Sequence, residues 1–151
     1  MLNIYVDADA CPVKEEVIRV AERHKLEVYM VSNGSLRAAV GPKIHRIMVG
    51  MEADAADNWI AGRAGEGDIV ITADIPLAKR ALEKKAAVLG PNGKPFTPES
   101  IGQALAMREL HSYLREAGEI AGYNKSFSKQ DRSRFLQSLE EAIQRIRRER
   151  E

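Results

Sequence analysis

The sequence has a single cysteine, Cys11, among its 151 residues. One thiol closes no internal disulfide and builds no cysteine-based zinc site. A reducing compartment fits that scarcity. Long apolar runs are missing too. No stretch approaches the roughly 20 residues that a membrane-spanning helix needs. The first residues, MLNIYVDADACP, carry no basic segment and turn acidic at Asp7, so they do not read as a signal peptide. The expectation is a cytoplasmic protein with no membrane partner. Nor does charge of one sign dominate. The chain has 23 Lys and Arg against 22 Asp and Glu, a formal net charge of +1. No global field recruits nucleic acid, and any affinity for phosphates must come from local basic clusters.

What is present is the mix of a soluble globular protein, with 44% hydrophobic and 30% charged residues. The length fits one domain over 1–151 with a core that needs no staples. Leu2 to Val6 reads as a buried strand ended by Asp7. Pro12 suits a helix start, and Val13, Val17, Ile18 and Ala21 give that helix an apolar face. Strands are expected at Leu26 to Val31 and Ile44 to Val49, with Gly41-Pro42 breaking any element between them. A helix at Ala53 to Ala64 follows. Ile69 to Thr72 is the strongest strand signal, with three consecutive β-branched residues. Asp74-Ile-Pro76 opens a helix to Lys85, and Ala86 to Leu89 is a short strand ended by GPNGKP. This order predicts an α/β fold, a mainly parallel sheet flanked by helices. The remainder reads as helical. One helix is expected from Thr97 or Pro98 to about Glu116, then a mobile loop over 118–129. A C-terminal helix follows at 130–149, opened by the capping box Ser128 to Asp131, with Phe135, Leu139, Ile143 and Ile146 on one face.

The chemistry lies in the aspartates. In an open parallel sheet, ligands bind beyond the carboxyl ends of the strands. Asp7 and Asp9 follow the first strand, Asp54 and Asp57 come shortly after the third, and Asp74 follows the strong strand. Three strand exits thus deliver acids toward one edge. Like charges so crowded raise each other's pKa, and a hard divalent cation relieves the repulsion. Mg²⁺ or Mn²⁺ suits such oxygen ligands, with Asp7, Asp9 and Asp74 as the metal set and Asp54 or Asp57 as a further ligand or base. The matching reaction is metal-assisted phosphodiester hydrolysis. The alternative is helix capping, for which Asp9 and Asp74 are each well placed before Pro12 and Pro76. Capping does not account for Asp7 and Asp9 together.

DADACP after the first strand, EADAADNWI, TADIPLAKRAL and GYNKSFSKQDRSRFLQSLE together resemble the bacterial YaiI/YqxD family, over nearly the whole chain. That family is usually grouped with PIN-like domains. The resemblance implies a three-layer PIN-like fold with C-terminal helices and, as in many PIN-like proteins, a metal-dependent ribonuclease. Asp7 then matches the first acidic ligand, Asp74 a later one, and Asp54 or Asp57 the acid on the intervening helix. A further acid that many active nuclease relatives carry after the next strand is absent. GPNGKP stands there, with Asn92 the nearest candidate.

Around this core, Ser32 and Asn33 could bind a phosphate or a metal-bound water, or simply form a turn. Lys125, Lys129 and Arg132 sit in or beside the expected loop and are candidates for substrate phosphates. Phe127 and Tyr123 are stacking candidates if RNA binds, ahead of Trp59, which reads as core. Cys11 would have its pKa raised by nearby carboxylates, which disfavours a nucleophile. His24, His45 and His111 show no metal-ligand spacing. Three functions therefore compete. The leading one is a metal-dependent phosphodiesterase acting on RNA. Another is a non-catalytic module that binds metal or RNA. The third is a haloacid-dehalogenase-like phosphatase using Asp7 as nucleophile and Asp9 as acid/base. It is disfavoured by Ala78 and Lys79 where a second acid belongs. Nothing in the sequence sets an oligomeric state.

Overall fold

The structure, a computed structural model, describes residues 2–33, 41–52, 54–103 and 127–149. Strand β1 (Asn3–Asp7) leads through a single 3-10 turn (Ala8–Ala10) to helix α1 (Lys14–His24). Strands β2 (Glu27–Ser32) and β3 (Ile44–Met48) follow, then α2 (Ala55–Arg63), β4 (Ile69–Ile71), α3 (Ile75–Glu83) and β5 (Ala87–Leu89). A two-residue strand β6 (Pro95–Phe96) precedes α4, helical over 98–103, and α5 (Lys129–Glu149) closes the described chain. The expected elements are thus present, with ends shifted by at most three residues. The helix expected to run to Glu116 is described only as far as 103.

The six strands lie in the order β3-β2-β1-β4-β5-β6. All neighbours are parallel except β5 and β6. The sequence reading stopped at GPNGKP and missed β6. Gly93 adopts φ +85°, which lets the chain fold back so that Leu89 pairs with Pro95. A Cβ on Gly93 would also meet the Arg134 backbone at 2.7 Å, so the same glycine seats α5.

Alternation along the parallel strands splits the core into two layers. Ile4, Val6, Val28, Met30, Ile69 and Ile71 pack with α1 and α5. Tyr5, Val31, Val70 and Val88 pack with α2 and α3. The C-terminal helix buries Phe135, Leu139, Ala142, Ile143 and Ile146, the face expected from its spacing. Its start is the reciprocal box in which Asp131 N–H donates to Ser128 Oγ and Ser128 N–H to Asp131 Oδ2.

Polar contacts fasten α5 to α1. The Arg132 guanidinium donates to the Pro12 carbonyl (2.9 Å) and to the carboxylate of Glu16 (3.2 Å). Farther along, Glu140 accepts from Arg23 and faces His24 Nε2 at 2.8 Å. Arg147 can only donate, so His24 Nδ1 accepts from it and Nε2–H points at Glu140. Hydrogen bonds from His24 and Gln144 hold the Glu140 carboxyl down at about 2. Among the described residues, no helix is long and apolar enough to cross a membrane.

Phe135 is fully buried between α5 and the sheet. Replacing Phe135 with Ala should lower stability by about 3–5 kcal/mol. Urea unfolding of the full chain measures this. A loss below about 1 kcal/mol would mean that α5 does not pack as described.

Candidate functional site

The site lies where the sheet divides. From β1 the chain crosses through α1 to β2 on one side, and it later returns through α2 to β4 on the other. The crevice at such a switch point opens at the carboxyl end of the strands. Asp7 is the last residue of β1 and lies half-buried there.

Thr72, just after β4, holds Asp7 across the divide. Its hydroxyl donates to Asp7 Oδ2 at 3.0 Å and accepts from the Asp74 N–H at 2.9 Å. Thr72 is only 1% exposed, so this link is dry. Nothing in local sequence marks a threonine at a strand end as special, and the sequence reading missed it. Asp74 caps α3, the alternative that its place before Pro76 offered: Oδ1 accepts from the Leu77 N–H at 2.9 Å.

Asp9 does not cap α1. It sits in the 3-10 turn, and its carboxylate reaches sideways to the end of β2. Oδ1 accepts from Ser32 Oγ at 2.5 Å, and Oδ2 accepts from the Asn33 N–H at 2.9 Å. The Asn33 side-chain amide in turn donates to the carbonyls of Gly50 (2.9 Å) and Glu52 (3.1 Å). Asp9, Ser32 and Asn33 therefore form a strut from β1 through β2 to the segment that leads into α2. Asp54 stands exposed at the start of α2, with no capping hydrogen bond from its side chain. Asp57 lies in the first turn of the same helix.

Electrostatics tie these acids together. The Asp7 carboxyl is raised above its usual range, first by burial and then by Asp74 and Asp9, while the Thr72 hydrogen bond pulls it back. The Asp57 carboxyl is pushed up to about 6 by burial, then by Asp74, Asp7 and Asp54, with Arg80 opposing. A helix N-terminus favours a carboxylate by only about 0.3–1 kcal/mol. Here burial and three acidic neighbours outweigh it. Arg80 itself donates to Asn58 Oδ1 at 2.9 Å, beside Asp57.

The donors at this edge are all hard oxygens, which is the right chemistry for Mg²⁺ or Mn²⁺. Among the described residues, however, no group of three or more His, Cys, Asp or Glu side chains is spaced to hold a metal ion. Five aspartates are brought to one edge, but not into a closed protein cage.

The other expected site residues fall elsewhere. Arg132 is engaged by Glu16 and Pro12, and its guanidinium lies 5.0 Å from the Phe127 ring centre. That contact and the core beneath it take up Phe127. Lys129 is exposed at the start of α5. Lys125, Tyr123, His111 and the 118–129 loop up to residue 126 lie outside the described residues. Asn92 turns its Oδ1 to the Lys94 N–H, as a turn residue does. Cys11 is buried, and burial pushes its thiol up. Asp68, at the opposite end of β4, accepts from the Asn3 and Gly65 N–H groups and serves the fold.

The sequence pattern described as "Uncharacterized BCR, YaiI/YqxD family" matches residues 5–145. Among curated relatives, a UPF0178 protein of Parvibaculum lavamentivorans is 60% identical over 148 residues, covering 98% of this chain and 97% of its own. UPF0178 proteins of Nitrobacter winogradskyi and Mesorhizobium japonicum are 56% and 58% identical, over 97% and 95% of this chain and 94% and 92% of theirs. No solved structure gives a significant match.

The Asp57 shift has a consequence for stability. Its folded-state pKa of about 6 lies above the ordinary 3.8. The folded state therefore binds more protons between those values, and stability falls as pH rises from about 4 to 6. In metal-free buffer, Asp57→Asn should melt higher than the parent at pH 7, and the gap should close toward pH 4. Thermal melts across that range check it; a gap independent of pH would refute the shift.

Proposed function

The chain belongs to the YaiI/YqxD family, and for it we propose a divalent-metal-dependent phosphodiesterase that acts on RNA at this carboxylate edge. The observation that carries the reading is the gathering of Asp7, Asp57 and Asp74 at a topological switch point, where burial and then the neighbouring acids raise the Asp7 and Asp57 carboxyls. Asp7 and Asp74 are held by a hydroxyl and a backbone N–H, which fix position and leave charge in place.

Asp7 and Asp74 would hold Mg²⁺ or Mn²⁺. A site of that kind uses one or two carboxylates plus waters and substrate phosphate oxygens, so it needs no three-residue cage. The bound ion would supply charge neutralisation and a more acidic water. Asp57, with a carboxyl at about 6, is suited to take the proton of an attacking water near neutral pH. Asp9 has both oxygens engaged and acts as the brace for Ser32 and Asn33. The same engagement argues against a haloacid-dehalogenase-like reaction, because the second aspartate of that pair must be free to exchange a proton. Arg80, beside Asp57, is the cation best placed to meet a phosphate. The PIN-like grouping belongs to this proposal too, because the matched relatives are named for the narrower family alone.

A second reading keeps the binding and drops the turnover. It is favoured by the missing acid after β5, where Asn92 serves a turn.

Calorimetric titration with Mn²⁺ tests the proposal. The parent should bind, and Asp7→Asn and Asp74→Asn should each weaken binding at least tenfold, since losing even a partner behind a ligand costs roughly 10- to 100-fold. Cleavage of single-stranded RNA should need Mn²⁺ and vanish in both variants. Binding without cleavage of any RNA selects the second reading. No binding by the parent removes both.

A further inference from the structure

A second feature shares the α2 side of the sheet. The parallel register places Tyr5 beside Tyr29 and Tyr29 beside His45, on β1, β2 and β3. Their rings stack in one row. Tyr5 and Tyr29 are 5.2 Å apart with planes at 16°, and Tyr29 and His45 are 4.8 Å apart at 19°. Trp59 of α2 covers the inner rings, 6.2 Å from Tyr5 and 6.0 Å from Tyr29, with Arg63 over its own face at 4.1 Å.

The row opens outward. Tyr5 is buried, Tyr29 is half-buried, and the His45 side chain is 40% exposed. Among the described residues β3 is the edge strand, so the outer face of His45 looks off the end of the sheet. Glu27 holds the ring at Nε2, 2.6 Å away, which fixes its plane against Tyr29. Among the described residues, Tyr29 is the one ring stacked on His45.

We propose that His45 is a base-stacking site: a nucleobase of single-stranded RNA continues the Tyr5–Tyr29–His45 row beyond the sheet edge. The spacing and the near-parallel planes are those of stacked rings, and every base has a π-face to offer. Charge agrees with the choice of occupant. Lys43 lies two residues before His45 in the chain, and Arg63 sits on the same aromatic group. Location agrees as well. His45 lies three residues before the end of β3, roughly 10 Å from the carboxylate edge at about 3.3 Å per residue. That is the reach of one or two nucleotides. The inference rests on RNA as the substrate class of the proposed function, but not on metal or cleavage.

The test is binding of a short fluorescein-labelled single-stranded RNA to the full chain in EDTA, read by anisotropy, with Trp59 fluorescence followed in parallel. His45→Ala should weaken binding roughly tenfold, the change expected for losing one base–aromatic stack, and His45→Tyr should restore it. An RNA with abasic sites should lose affinity for the parent and show little further loss with His45→Ala. Equal binding by the parent and His45→Ala overturns the stacking site and leaves the metal reading intact. Absence of RNA binding by the parent also overturns it. Loss of Mn²⁺ binding in the earlier titration, with His45-dependent RNA binding retained, fails the hydrolase and keeps this site. A dimer in sedimentation that His45→Ala dissolves, with no effect on RNA, assigns the edge to a second copy instead.

Discussion

The hydrogen bond from Thr72 to Asp7 crosses the line on which this fold is organised. β1 is paired in parallel on both sides, with β2 over five residues and with β4 over three. A strand held on both edges has no freedom to slip, because a one-residue slip would turn Ile4 and Val6 out of one core layer and into the other. The position of Asp7 at the carboxyl end is therefore set by the whole sheet. The diverging crossovers open a gap at that end, and Thr72 is the residue that spans it.

Two kinds of acid emerge from this architecture. Those between α1 and α5 have cationic partners: Glu16 meets Arg132, and Glu140 meets Arg23. The α1–α5 contact is thereby a charged seam over an apolar one. The acids at the strand exits are held otherwise, by Thr72, by Ser32 and Asn33, and by the Leu77 N–H. Neutral donors orient a carboxylate without cancelling its charge, while burial first and then the neighbouring acids raise the Asp7 and Asp57 carboxyls. Repulsion of that sort lowers stability, so it marks an edge where placement of charge outweighs fold economy.

How much of this could be read from the chain depends on the range of each interaction. Short-range patterns carried the strands, the Ser128–Asp131 box, the Asp74 cap and the buried face of α5, because each is decided within a few residues. The capping alternative fails for Asp9, since a 3-10 turn intervenes and points its carboxylate at β2 instead. Charge alone could not tell that Arg132 belongs to Glu16, a residue 116 positions away. Gly93 read as turn punctuation, but its absence of a Cβ also admits the α5 backbone. Tyr5, Tyr29 and His45 are spaced by 24 and 16 residues and have no common motif. Only parallel register brings them into one row, and that register exists once the sheet does.

The same alternation that hid the row also explains its relation to the acids. Tyr5 and Asp7 are two apart on β1, so both face the α2 side of the sheet. α2 runs back from the carboxyl edge between two parallel strands. Its first turn brings Asp57 to the acids, and its later residues bring Trp59 and Arg63 over the rings. One helix thus spans both features, and the strut from Asp9 through Asn33 to Gly50 and Glu52 anchors the segment that leads into it. A change in that strut would move Asp57 and Trp59 together. The carboxylate edge and the aromatic row are therefore two ends of one continuous surface on the α2 side of the sheet.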